Sequence, residues 1–202
     1  MTLPTSSKPP TILGWGSVYL DSAVALAKEA ADTGTTPGHE GQRCSAAVFA
    51  AGAAIECTVH ELTFLFADQG DISIAQACAI TNAGTPPVRY RQLALEIAAN
   101  RRAAAPNFGV AEFEKACCVW KCRNHLIHYE PERRNLGLWP AELDPYREKG
   151  WLPALRAEEH WTSRLPTAPV AKHLTGYARE FLVWFDTVLR FPDPLRKAFG
   201  FP

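Results

Sequence analysis

An apolar period near 3.6 runs through this chain, and no segment alternates cleanly at period two. The clearest case is 44–68. Val48, Gly52, Ile55, Val59, Leu62 and Phe66 recur there by threes and fours, a narrow apolar seam on one long helix. Ala and Gly along it permit close approach of a neighbouring helix, and Gly70-Asp71 ends it. The alanine-rich stretch 18–31 predicts a second helix with Trp15, Tyr19, Ser22 and Leu26 as its stripe. A Gly-, Pro- and Thr-rich loop follows at 32–42. A short helix is expected over 71–80 and a longer one over 88–102, carrying Leu93 and Ile97. From 110 to about 129, Phe113, Cys117, Trp120, Asn124 and Ile127 mark a helix facing a core, with Asn124 as its one polar member. Pro131 stops it, because the residue before a proline is pushed out of the helical region. A last helix over 169–190 has Val170, Leu174, Tyr177, Phe181, Phe185 and Val188 on one side, and Trp15-Gly16 and Trp184 read as core. The expected fold is all-α, an antiparallel helical bundle of four to five main helices.

One domain over 1–202 is the natural partition at this length, with 1–12 a flexible tail. The segment 132–167 differs in kind. It carries Trp139, Trp151, Trp161, several prolines and many charges, and is expected to be a loop-rich insertion before the last helix. At most one short helix is expected in it, over 153–159, with its tryptophans pinning it to the bundle. Lys plus Arg is 21 and Asp plus Glu is 21. A sequence-blind nucleic-acid binder driven by global charge is therefore excluded, and any nucleic-acid contact must be a local basic site. The six cysteines include three within 117–122, a poor disulfide framework, and read as small buried fillers in a reducing compartment. No run of about 18 apolar residues predicts a membrane span. The opening residues lack the apolar stretch of a secretory signal. The expected location is the cytoplasm.

The chemistry-bearing stretch is Lys121-Cys122-Arg123-Asn124-His125-Leu126-Ile127-His128-Tyr129-Glu130-Pro131, where two histidines, an arginine and an amide meet at a helix end. Arg123 and His128 stand about 140° apart around the helix axis. They flank the stripe, and a single helix does not pair them unaided. Two copies across a symmetry axis would bring them together. His125 lies further round, nearer the opposite face.

Arg123-Asn124-x-x-x-His128 resembles the signature of the HEPN superfamily, an Arg usually followed by a polar residue and then a His. The long helix before it, with Glu56 in Ala-Ala-Ile-Glu, resembles the first core helix of such domains. The resemblance covers roughly 18–131 and the last helix; 132–167 has no counterpart in it. It implies an all-α bundle that dimerises, with two Arg–His motifs lining a shared cleft. It further implies a metal-independent endoribonuclease of toxin–antitoxin, abortive-infection or other phage-defence or stress systems, with no cofactor. RNA, a second copy of the chain and an antitoxin or other regulatory protein are then the partners. In members silenced by nucleotidylation of a Tyr, that Tyr lies two residues after the His. Glu130 stands there in this chain, which argues against that control.

The residue chemistry fits these roles. Cleavage of RNA at its own 2′-hydroxyl needs a base, an acid and a stabiliser of charge on phosphorus. Histidine titrates near neutrality, and arginine presents a charged planar fork to phosphate. His128 and Arg123 are the expected catalytic pair. Asn124 would orient His128, bind phosphate oxygens or serve as a buried register-setting amide. Glu56 and His125 would support them, and Arg133 and Arg134 would draw in RNA. The rival readings are a non-catalytic HEPN-like module binding nucleotide, RNA or a protein partner, and a plain interaction bundle. A metal site through Cys122, His125, His128 and His60 is disfavoured: on one helix the first three spread over about 120°, wide for tetrahedral zinc.

Overall fold

A computed structural model describes residues 14–32, 37–128 and 136–201. Among them there are nine helices and no strand. Five are long: α1 (Trp15–Ala30), α2 (Pro37–Asp68), α4 (Pro86–Asn100), α5 (Ala111–Ile127) and α8 (Ala168–Leu189). Four are short: α3 (Ile74–Thr81), α6 (Asp144–Glu148), α7 (Trp161–Arg164) and α9 (Asp193–Phe199). The expected tail 1–12 lies outside the described residues.

The spine is α2, about 48 Å long at 1.5 Å per residue. Its seam of Val48, Gly52, Ile55, Val59, Leu62 and Phe66 is buried throughout. The helix begins earlier than the apolar pattern, at Pro37, because a proline suits the first turn of a helix. By length and composition Gly38–Asp68 is apolar enough to cross a membrane, yet 61% of its apolar window is buried inside the bundle, as befits a central packing helix. On it pack α1, α8, α5, α3 and α4. Tyr90 of α4 is fully buried and donates to the Ile55 carbonyl at 2.8 Å. Phe181 and Phe185 of α8 meet its ring edge-on, each at 4.7 Å. Such aromatic pairs contribute roughly 0.5–1.5 kcal/mol beyond burial. Ser73 and Gln76 close a reciprocal cap on α3.

Helix α1 packs through a face about a quarter turn round from the one its large residues marked, and of that stripe only Leu26 packs against the core. Gly16, Leu20, Ala23, Ala27 and Ala30 are buried, while Trp15 is 50% exposed and Tyr19 and Ser22 face solvent. Small residues win because they let α1 and α2 approach closely: a Cβ on Gly16 would lie 2.1 Å from Thr58 Oγ1. Glu61 of α2 then accepts from the Trp15 amide at 2.6 Å and the Gly16 amide at 3.4 Å, satisfying donors that no earlier turn can. Burial raises the Glu61 carboxyl above its usual range, against the lowering effect of those two bonds.

In the insertion the expected helix over 153–159 does not form, and α6 and α7 flank that stretch instead. Trp139 and Trp161 are buried. The Trp139 indole donates to the Pro153 carbonyl at 2.8 Å, and Glu159 pairs with Arg164 at 2.6 Å. The bundle does not end at α8, since α9 follows it. Phe191 and Leu195 are buried there, and Phe199 stacks on Phe201. All six cysteines are free, and Cys78 is exposed instead of filling the core.

Candidate functional site

Helix α5 buries Phe113, Ala116, Cys118, Val119 and Cys122. The row Cys117, Trp120, Asn124 and Ile127, expected to face the core, is displaced around the axis from that face. Cys117, Trp120 and Asn124 line an open cleft of about 780 Å³, and Ile127 is 44% exposed. Asn124 is therefore a site residue facing space, and no buried register amide. Its helix supplies one wall together with His125 and His128. The other comes from Pro140–Glu142 and Trp161 of the insertion, with Thr85 and Pro87 at the start of α4.

The sequence-predicted residues separate into two groups joined by one amide. His128 caps the C-terminus of α5, is exposed and lines the cleft; its backbone N–H donates to the Asn124 carbonyl at 2.9 Å. Arg123 runs the other way, over α2. A Cβ on Gly52 would lie 2.9 Å from Arg123 Cγ and 3.1 Å from its Cβ, so the bare backbone at Gly52 is the bed of that side chain. The guanidinium lies 4.8 Å from the centre of the Trp120 ring and donates to Asn124 Oδ1 at 3.0 Å. Its Nη2 is 3.8 Å from Glu56 Oε2. The structure thus joins Arg123, Asn124 and Glu56, with His128 one helical turn from Asn124. His125 contacts the edge of Trp161 at 5.6 Å and stands 3.8 Å from the Glu142 carboxylate. Burial, ahead of the opposing pull of Glu142, lowers its pKa below the ordinary histidine value, so it is neutral at pH 7. Arg133 and Arg134 lie outside the described residues.

Arg89 is the residue that sequence reasoning missed. Its Nη1 sits 3.6 Å from Glu56 Oε1 and 2.8 Å from His60 Nε2, and its Nε donates to the Ala83 carbonyl at 2.7 Å. Arginine only donates, so His60 Nε2 accepts and the neutral ring carries its proton on Nδ1. Burial, and then the charge of Arg89, lower the pKa of His60. Two guanidiniums thus share the single Glu56 carboxylate, a local excess of positive charge in a chain with none overall. The only sequence hint was the four-residue spacing of Glu56 and His60 on one face of α2.

Burial pushes the Cys117 thiol up to about 11, so it offers the cleft packing surface and no thiolate at neutral pH. Among the described residues no group of three or more His, Cys, Asp or Glu is placed to hold a metal ion. Comparison of the chain with protein-family models, curated proteins and solved structures finds no match.

Proposed function

We propose that this chain is a metal-independent HEPN-type endoribonuclease, an antiparallel helical bundle acting as a cytoplasmic homodimer in a toxin–antitoxin, abortive-infection or related defence system. The observation that carries the proposal is the end of α5. An exposed imidazole at 128 stands one turn from an amide that the Arg123 guanidinium already grips, beside an open cleft. In the reaction one His128 takes the 2′-hydroxyl proton, and the 2′-oxygen attacks phosphorus. The partner's His128 gives a proton to the departing 5′-oxygen, leaving a 2′,3′-cyclic phosphate and a 5′-hydroxyl. Arg123 stabilises the extra charge on phosphorus, and Glu56 holds Arg123 ready. An antitoxin or other regulatory protein would act by covering this end of the helix.

Purified protein is expected to cleave single-stranded RNA in the presence of a chelator, and His128→Ala and Arg123→Ala are each expected to abolish cleavage. A mixed dimer of one unaltered and one His128→Ala chain keeps a single imidazole, so it should lose nearly all cleavage if the site is shared and keep about half if each chain works alone. Unchanged cleavage by His128→Ala would sink the proposal. The second reading, a non-catalytic module binding nucleotide or RNA in the same cleft, draws on the placement of Arg123 and His128 on different sides of α5. It is supported if RNA is bound and left intact.

A further inference from the structure

We propose that the cleft between α5 and the insertion is a base-binding site selective for guanine. The half-buried Trp120 lines it and gives a flat apolar surface on which any base gains by stacking, while Trp161 is buried within the facing wall against His125. Its volume of about 780 Å³ is that of an ordinary small-molecule pocket. Charge is divided across α5. Arg123 and Arg89 gather on the α2 side around Glu56, while the cleft side carries the Glu142 carboxylate together with the Lys121 ammonium, a pair with no net charge. A phosphate is therefore drawn toward the excess positive charge of Arg123 and Arg89, and the part of a nucleotide that suits the cleft is its uncharged base.

Glu142 also decides which base. A carboxylate is a pair of acceptors side by side. Guanine alone among the four RNA bases presents two adjacent donors, N1–H and the N2 amine, on its pairing edge. Adenine and cytosine place a bare ring nitrogen next to their amine, and uracil has one N–H between two carbonyls. The Glu142 carboxylate is exposed, 3.8 Å from the His125 imidazole, and so stands open to the edge of a base. Asn124 connects the two sides: with Oδ1 held by Arg123, its NH₂ is the donor it has to offer. The insertion places Glu142. Lys121 of α5 donates to the Glu142 backbone carbonyl at 3.4 Å, fastening that wall to the catalytic helix.

The role of this site in cleavage, a preference for RNA cut beside guanosine, rests on the ribonuclease proposal; the binding itself does not. Isothermal titration calorimetry of the full chain with GMP, AMP, CMP and UMP separates the two. GMP is expected to bind about tenfold more tightly than the others, the worth of one extra charge-assisted hydrogen bond at an exposed site. Glu142→Gln, a change at an exposed position, offers one acceptor and one donor and should level the four affinities. Equal affinities in the unaltered chain, or a GMP preference untouched by Glu142→Gln, overturns the proposal, as does failure to bind any of the four. GMP binding that needs Glu142 without RNA cleavage would leave this site standing and remove the nuclease. Cleavage without GMP binding would do the reverse.

Discussion

Replacing Gly52 by alanine sets two known effects against each other at the point where Arg123 crosses α2. In an open helix interior the change is favourable, because glycine costs about 1 kcal/mol relative to alanine. Gly176 of α8 is such a site: a Cβ there meets nothing within 4 Å. At Gly52 the new methyl would stand 2.9 Å from Arg123 Cγ and 3.1 Å from its Cβ. Those atoms are the root of the side chain, fixed by α5, so they cannot swing aside as a side-chain tip would. Overpacking of this kind costs roughly 1–3 kcal/mol. Gly52→Ala is therefore expected to be neutral or destabilised by up to about 2 kcal/mol, and Gly176→Ala stabilised by about 0.5–1 kcal/mol. Urea unfolding of both variants beside the parent gives the difference directly, with RNA cleavage as a second readout. Cleavage by Gly52→Ala should fall because the guanidinium is carried away from Asn124 and Glu56. If Gly52→Ala gains as much stability as Gly176→Ala and cleaves normally, Arg123 does not lie across α2 and the construction of the site is wrong.

Two further tests probe the scaffold. Gly16→Ala places a methyl 2.1 Å from Thr58 Oγ1 and should cost about 1–3 kcal/mol in urea unfolding; adding Thr58→Ala removes the obstacle and should restore most of the loss. Acidification should destabilise the chain below about pH 6.5, since burial lowers the pKa of His60 and His125 and the unfolded state then takes up protons before the folded one. Glu61, raised by burial, acts in the opposite sense, beginning nearer the carboxylate range. Urea midpoints between about pH 7.5 and 5.5 should therefore fall, and His60→Gln with His125→Gln should flatten that slope.

Helical periodicity made the long helices legible because each must bury one face, and the seam of α2 lies where its apolar spacing put it. Faces built of small residues were not legible. On α1, Gly16 and the alanines carry little hydrophobic signal, but the close approach they allow decides the packing, so Trp15 and Tyr19 were given a role they do not have. The same error by a fraction of a turn on α5 hid the cleft. Trp120 and Asn124 resemble a core row with one polar intruder until the buried set of Ala116, Val119 and Cys122 is seen beside them. Within the site, Arg123, Asn124 and His128 stood out because they are neighbours in sequence. Arg89 and Glu142 did not, because they reach the site only through tertiary packing, from α4 and from the insertion. Pro153 and Glu159 framed a plausible helix, yet bonds from the Gly137 amide to the Glu159 carbonyl and from the Trp139 indole to the Pro153 carbonyl tie that stretch as a non-helical strap.

That strap gives the molecule a division of labour. Its internal ties (Trp139 to Pro153, Gly137 to Glu159, Arg164 to Glu159) make it a self-braced cassette, and among its contacts with α5 are the Lys121–Glu142 clasp and the His125–Trp161 contact. Exchanging the residues of the 140–142 turn would therefore reshape one wall of the cleft while leaving the Arg123, Asn124 and Glu56 contacts across α5 and α2 unaltered.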